Sequence, residues 1–281
     1  MNDKELIDRV VENIKKSKKY KGIYFRTIER VVGDLVLKNA QTNRLRQGFG
    51  LVMEKKAKNL LHQIWGAFYA SQPDFDKVFL KLSQMYADFD SNLIGIEKLK
   101  ELILPILHLQ SSVKERTSIL DEFYQKIFKV TGIPGSIIDY ACGLNPLTYL
   151  WMGSQDIKYQ AYDIDQKEVG FLNSVLKLLS IKNAQVGVGD VLCDDFKYAD
   201  VVFLLKLLPC LEHQKKDSGL ELIKKLPCKY LVVSFPIKSL GGKNVGMAEF
   251  YRNNFKKMVE NEGCQTTEIL FDSELVFVIE K

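Results

Sequence analysis

Ile137-Ile138-Asp139-Tyr140-Ala141-Cys142-Gly143-Leu144-Asn145-Pro146 is the stretch on which the fold turns. It places an acidic residue at the end of an apolar strand, follows it with small residues, and closes with Asn-Pro. Ala141, Cys142 and Gly143 allow a backbone to approach a bound ligand closely. Asn145 suits the cap of a following helix and Pro146 its first turn. Twenty residues beyond Gly143, Asp163 ends the next apolar segment within Ala161-Tyr162-Asp163-Ile164-Asp165. A carboxylate there can accept hydrogen bonds from ribose hydroxyls.

Outward from this stretch, short β-rich segments alternate with helical ones at 136–139, 159–162, 185–188, 200–205 and 230–234. Such alternation predicts βαβ units and a parallel sheet. Segments 266–271 and 275–279 flank Asp272-Ser273-Glu274 and read as an antiparallel hairpin. Gly189-Asp190-Val191 follows the third strand, where a carboxylate and a backbone amide can address an adenine. Each residue alone is read more simply as a turn aspartate or glycine. At three consecutive strand ends they favour a cofactor site, because open α/β sheets bind ligands there. NAD would call for G-x-G-x-x-G to seat its pyrophosphate, and the sequence lacks it. S-adenosylmethionine has a ribose and no phosphate, so an acidic strand end and one glycine suffice.

Toward the N-terminus, residues 1 to about 107 carry apolar positions at helical spacing, as in Leu6, Ile7, Val10, Val11 and Ile14. A run over 92–109 is interrupted by Pro105, and another over 114–130 stops at Thr131-Gly132-Ile133-Pro134. The expected class is α/β: a Rossmann-like sheet with an antiparallel C-terminal hairpin and a helical N-terminal domain. Charge divides along the same line. Residues 1–60 hold 15 Lys and Arg against seven Asp and Glu, whereas the remainder holds 25 against 28. A cationic N-terminal segment suits a polyanion, since each neutralised phosphate releases counterions. A solvated lysine-rich helix face is the plainer alternative.

The 281 residues can bury a sizeable core. They hold no run of eighteen apolar residues, and Met1-Asn2-Asp3-Lys4-Glu5 does not open a basic-then-apolar leader, so no membrane and a cytoplasmic location are expected. Five scattered cysteines without C-x-x-C spacing fit a reducing compartment. His62, His108 and His213 lie far apart, so spacing implies no metal site.

Several stretches together resemble the aminoglycoside-resistance 16S ribosomal RNA (guanine-N7) methyltransferases. They are 61–69 (Leu-His-Gln-Ile-Trp-Gly-Ala-Phe-Tyr), Ser111 to Arg116, Ala141 to Leu147, Tyr162 to Asp165, 203–209 (Phe-Leu-Leu-Lys-Leu-Leu-Pro), and Ser234 to Lys243 continuing to Gly246-Met247. They span residue 60 to the end, and the last two are the most specific. The resemblance implies that residues 1–107 form a helical, basic domain docking on 16S rRNA in the 30S subunit, and 108–281 a methyltransferase domain, in a monomer. It implies transfer of a methyl to N7 of a decoding-site guanine, S-adenosylhomocysteine as product, and aminoglycoside resistance. It further implies cofactor contacts at Phe68, Gln110, Ser111, Ser112, Arg116, Gly143, Asp163, Asp190, Val191, Leu205 and Gln214. The chain departs from the family pattern in carrying Gln110 for His and Val113 for Thr, and in a longer stretch 41–50.

A guanidinium at Arg116 can clamp a methionine carboxylate bidentately. Guanine N7 carries a free lone pair, so no general base is expected and positioning dominates. Lys206 can reach guanine O6 or a phosphate, Phe235 can stack on the base or pack in the core, and Lys238 and Lys243 suit phosphates. Met247 and Glu249 lie near the target, or Glu249 starts a helix. Lys15, Lys16, Lys18, Lys19, Lys21, Arg26 and Arg30 form the expected RNA footprint, extended by Lys55, Lys56 and Lys58. Trp65 and His62 read as core, and Cys142 as a small loop residue, not a nucleophile. The alternatives are an RNA methyltransferase acting on another base or on ribose, and a non-catalytic RNA-binding assembly factor.

Overall fold

The computed structural model describes residues 2–39, 48–69, 71–88, 95–214, 217–237 and 246–281. Helix α1 (Asp3–Lys16) opens with a capping box: the Asn2 side chain accepts from the Glu5 N–H at 2.8 Å, and Glu5 accepts from the Asn2 N–H at 2.9 Å. With α2 (Phe25–Asn39) and α3 (Phe49–Ile64) it closes a separate core around Ile14, Ile28, Val31, Met53 and Leu61. These positions recur every three or four residues, so one stripe of each helix faces the other two.

The rest of the expected helical region packs elsewhere. Helices α4 (Phe75–Ala87) and α5 (Ile96–Leu107) bury Phe75, Leu82, Ile103 and Leu107 in the core that covers the sheet. Pro105 does not interrupt α5, because it falls in the last turn, where its missing N–H removes one helix bond. The run expected over 114–130 is divided into α6 (Ser111–Lys114), a 3-10 turn at Thr117–Ile119, and α7 (Leu120–Thr131). Gly132, at φ 72°, ends α7.

Strands β1 (Ser136–Tyr140), β2 (Lys158–Asp163), β3 (Ala184–Val188), β4 (Ala199–Leu205) and β5 (Cys228–Pro236) are parallel. Helix α8 (Gln166–Leu178) links β2 to β3, while α9 (Leu208–Gln214) and α10 (Ser218–Lys225) lie between β4 and β5. After α11 (Met247–Val259), β6 (Gln265–Leu270) and β7 (Glu274–Glu280) complete the order β3-β2-β1-β4-β5-β7-β6. Strand β7 inserts antiparallel between β5 and β6, so the expected hairpin is present. Strands β4, β5 and β7 are apolar nearly throughout because both faces are covered; edge strand β6, Gln-Thr-Thr-Glu-Ile-Leu, is polar where water reaches it. The order reverses between β1 and β4, which opens a crevice at their carboxyl ends.

Candidate active site

Register fixes what meets in that crevice. Tyr140 pairs with Tyr162, Asp163 with Val188, and Leu205 with Ser234, so residues just past β1, β2, β3 and β4 share one edge. They line a cleft of about 850 Å³, part of it open to solvent. Asp163 lines it, accepting from the Gly143 N–H at 2.9 Å and the Asp165 N–H at 3.1 Å. A carboxylate has about four acceptor positions, so two remain for ribose hydroxyls. Burial pushes the Asp163 carboxyl up to about 6, against the hydrogen bonds from Gly143 and Asp165, which favour its charge. Gly143 adopts φ +49°, and a Cβ there would fall 2.2 Å from the Gln110 side-chain oxygen. Only glycine fits.

Ala141 and Lys206, both non-glycine, also take positive φ, 54° and 56°, at the ends of β1 and β4. Such strain persists where packing over-determines it, and it gathers at functional clefts. Val191, Leu205, Leu207 and Leu211 supply an apolar wall for a purine, and Asp190 stands at its edge. Glu168, on α8, faces the cleft with one carboxyl oxygen lacking a hydrogen-bond partner. Burial, together with the nearby charges of Asp163 and Asp165, holds its carboxyl well above the usual range. Acid, glycine and apolar wall fit a nucleoside bearing a ribose and no phosphate. These same residues would hold S-adenosylmethionine.

Of the sequence-selected cofactor residues, Phe68, Gln110, Ser112, Gly143, Asp163, Asp190, Val191, Leu205 and Gln214 line the cleft. Ser111 stands beside it, its hydroxyl donating to the Phe68 carbonyl at 3.0 Å. Gln110, where the family pattern has His, accepts from the Leu144 N–H at 2.9 Å and donates to the Tyr69 hydroxyl at 3.3 Å. It thereby ties the glycine loop to the helical region.

Arg116 requires a correction. The carboxylate it clamps belongs to Glu274: Nε and Nη2 donate to the two oxygens at 3.0 and 2.7 Å, and Nη1 donates to Asn145 at 2.7 Å. It does not line the cleft. Asn145 is likewise no helix cap; its amide donates to Asp139 at 2.7 Å and its oxygen accepts from Arg116, because the side chain turns inward from a 3-10 turn. Asp139, buried beneath the strand end, is pushed up to about 6 by burial.

Lys206 lines the cleft, but its ammonium donates to the Ser112 carbonyl at 2.9 Å and to Glu115 at 2.7 Å, with Glu274 at 3.6 Å. Phe235 is core: it stacks on Tyr251 at 4.9 Å and packs against Phe255 and Phe277. Met247 is half-buried at the start of α11, away from the cleft, and Glu249 pairs with Arg252. Lys238 and Lys243, and most of 41–50, lie outside the described residues.

The RNA footprint divides. Lys15, Lys16, Lys18, Lys19 and Lys21 are exposed on the helical unit, Lys15 beside Glu12 and Lys19 beside His62. Arg26 and Arg30 turn instead to carboxylates in the segment after β3, Arg26 to Asp194 and Arg30 to Asp190. Trp65 is buried as expected and donates to Asp165 at 2.8 Å, whereas His62 is exposed. Cys142 is buried, with its thiol held well above the ordinary range by burial. Sequence reasoning missed Tyr69 and Glu168 as parts of the cleft, and Glu274 as the partner of Arg116.

A doubly wound sheet with an acid at the end of β2, a glycine after β1 and a cleft at the switch point defines a class I methyltransferase fold. The chain belongs to the FmrO family of ribosomal RNA methyltransferases, whose model matches residues 16–278. The 16S rRNA (guanine(1405)-N(7))-methyltransferase of Micromonospora echinospora is 33% identical over 277 residues, covering 98% of this chain and 97% of that protein. The protein of the same name from Proteus mirabilis is 30% identical over 289 residues, covering 98% and 97%. The crystal structure of 16S rRNA methyltransferase RmtF, in complex with S-adenosyl-L-homocysteine, is similar at a TM-score of 0.76 and 26% identity, covering 100% of this chain and 99% of that one. Among the described residues, no helix is long and apolar enough to cross a membrane.

Proposed function

We propose that this chain transfers a methyl group from S-adenosylmethionine to N7 of a decoding-site guanine in 16S rRNA, the base its relatives' names give as 1405, and so confers aminoglycoside resistance. The observation that carries this reading is the Asp163-lined cleft at the strand-order reversal, in a chain of a ribosomal RNA methyltransferase family. When bound, S-adenosylmethionine supplies a methyl made electrophilic by its sulfonium. Asp163 orients the ribose, and the apolar wall with Asp190 orients the adenine. Guanine N7 presents its own lone pair, so the protein's task is alignment, which can lower the barrier by about 7–11 kcal/mol where geometry is ideal. Extruding the base from structured RNA costs a few kcal/mol, to be offset by contacts around the cleft mouth.

Residues 1–107 serve docking on the 30S subunit and 108–281 the chemistry, with Thr27, Arg30 and Phe68 of the first part also lining the cleft, in a cytoplasmic monomer. Within the first part, exposed lysines gather at the end of α1 and just beyond it, and others stand on α3, α4 and α5. The test is methyl transfer from labelled S-adenosylmethionine to purified 30S subunits, followed by reduction and strand cleavage at N7-methylguanine, beside aminoglycoside susceptibility of cells expressing the chain or its Asp163→Ala variant. One cleaved guanine, with resistance lost in the variant, is expected. A methyl mapped to another base or a ribose overturns the N7 assignment; no binding of S-adenosylmethionine by calorimetry overturns the enzyme.

A further inference from the structure

Asp190 and Gln214, read from the sequence as cofactor contacts on separate elements, converge on a single side chain from the helical unit. Arg30, on α2, donates from Nε and Nη2 to one Asp190 oxygen at 3.3 and 3.1 Å, and from Nη2 to the Gln214 side-chain oxygen at 2.9 Å. One turn earlier, the Thr27 hydroxyl donates to the same Asp190 oxygen at 2.8 Å. The other Asp190 oxygen accepts the Leu192 N–H at 2.9 Å. Thr27 and Arg30 both line the cleft.

We infer that Arg30 is a positioning residue for adenine recognition: α2 holds the Asp190 carboxylate and the Gln214 amide so that the remaining Asp190 acceptor faces the exocyclic amine of the purine. This rests on the cofactor reading proposed above. The physical reason is twofold. A carboxylate only 6% exposed needs polar partners, and Arg30 supplies a cation with two hydrogen bonds. Three hydrogen bonds on one oxygen, from Thr27 and two nitrogens of Arg30, also fix the carboxylate and so direct the free lone pair of the other oxygen, which a charge placed at a distance would not do. The backbone reinforces the joint, since the Tyr24 N–H donates to the Ile164 carbonyl at 2.8 Å and the Gln166 N–H to the Gly22 carbonyl at 2.9 Å, on either side of Asp165. The helical unit is thereby a wall of the cofactor cleft as well as a docking surface.

The test is calorimetry of the full chain with two probes, S-adenosyl-L-homocysteine and S-inosyl-L-homocysteine, in which an oxo group replaces the adenine amine. The wild type is expected to prefer the adenosyl compound by on the order of tenfold, since a buried acceptor is left unmade by the inosyl one. In Arg30→Ala that preference is expected to collapse, chiefly through weaker adenosyl binding, while Arg30→Lys retains part of it. Thr27→Val removes only a hydroxyl donor and is expected to lower the ratio less, which keeps the test open should Arg30→Ala not fold. A purely structural role would weaken both probes equally. Arg30→Ala or Thr27→Val with the wild-type preference intact overturns the inference and leaves the cofactor reading standing. A wild type that binds neither probe overturns both.

Discussion

Two arginine–carboxylate pairs, one beneath the strand ends and one lining the cleft, differ in what surrounds them. Arg116 and Glu274 have side chains 2% and 0% exposed, and Asn145, Tyr124 and Lys206 close the network around them. Arg30 and Asp190 are 16% and 6% exposed and join two separately packed cores. The first pair is sealed into the frame that sets α6, the 3-10 turn after β1 and the start of β7. The second opens onto the space a ligand would enter. A salt bridge of the same chemistry is sealed from water in one place and borders the cleft in the other.

The largest expected effect breaks the sealed pair. Glu274→Ala leaves Arg116 and the Lys206 ammonium short of a buried counter-charge, and should cost about 3–5 kcal/mol in urea unfolding. Burial pushes the Glu274 carboxyl up, yet Arg116 and Lys206 outweigh it and hold it below the ordinary value, so both cations depend on its charge. Arg116→Met with Glu274→Leu should recover most of that loss, because an apolar pair needs no compensation. A cost under about 1 kcal/mol for Glu274→Ala would mean that water reaches the pair and the contrast fails.

Asp163 sharpens the contrast from the cleft side. Asp163→Asn should weaken S-adenosylhomocysteine binding by at least about tenfold, since a charged acceptor is lost to the ligand, and should lower stability by less, through weaker hydrogen bonds from the Gly143 and Asp165 N–H groups. Wild-type affinity should rise with pH through about 6 as the carboxyl ionises, and the asparagine variant should show a flatter profile. Stability runs the other way. Asp139 and Asp163 are raised from 3.8 to about 6 in the folded state, so the native chain binds more protons between those values. Their contribution is fully present below about pH 4 and is lost as pH rises through 6. Thermal midpoints across this window should fall with pH less steeply in Asp163→Asn than in the wild type.

The strands were legible because 136–139, 200–205 and 230–234 are apolar and flanked by helical periodicity. Asp163 and Gly143 were legible because chemistry requires an acid and a small residue at fixed places on such a sheet. What escaped was pairing across distance. Glu274 lies 158 residues from Arg116 and sits in Asp-Ser-Glu, which reads locally as a turn. Arg30 lies 160 residues from Asp190, in a lysine-rich segment that reads as a solvated face. Asn145 before a proline fits a cap equally well as an inward-turned amide, and only the buried Asp139 below it decides. Phe235 stacks or packs depending on whether β7 covers it, which no local pattern reveals; Leu275 pairs with it there.

The smallest expected effect concerns cations left out of both pairs. Among the described residues, no carboxylate is paired with Lys16, Lys18 or Lys21, which stand exposed at the end of α1 and just beyond it. Their charges therefore remain available to phosphate, unlike those of Arg26 and Arg30 in the same unit. Changing all three to Gln should reduce the slope of log affinity for 30S subunits against log salt by roughly two to three, as each phosphate contact contributes about 0.7–0.9. Binding of S-adenosylhomocysteine should not change, because none of the three lines the cleft. An unaltered salt slope would place docking on another surface. A loss of cofactor affinity would show instead that the lysines, like Arg30, act on the cleft, and the division of the helical unit into outward and inward cations would fall.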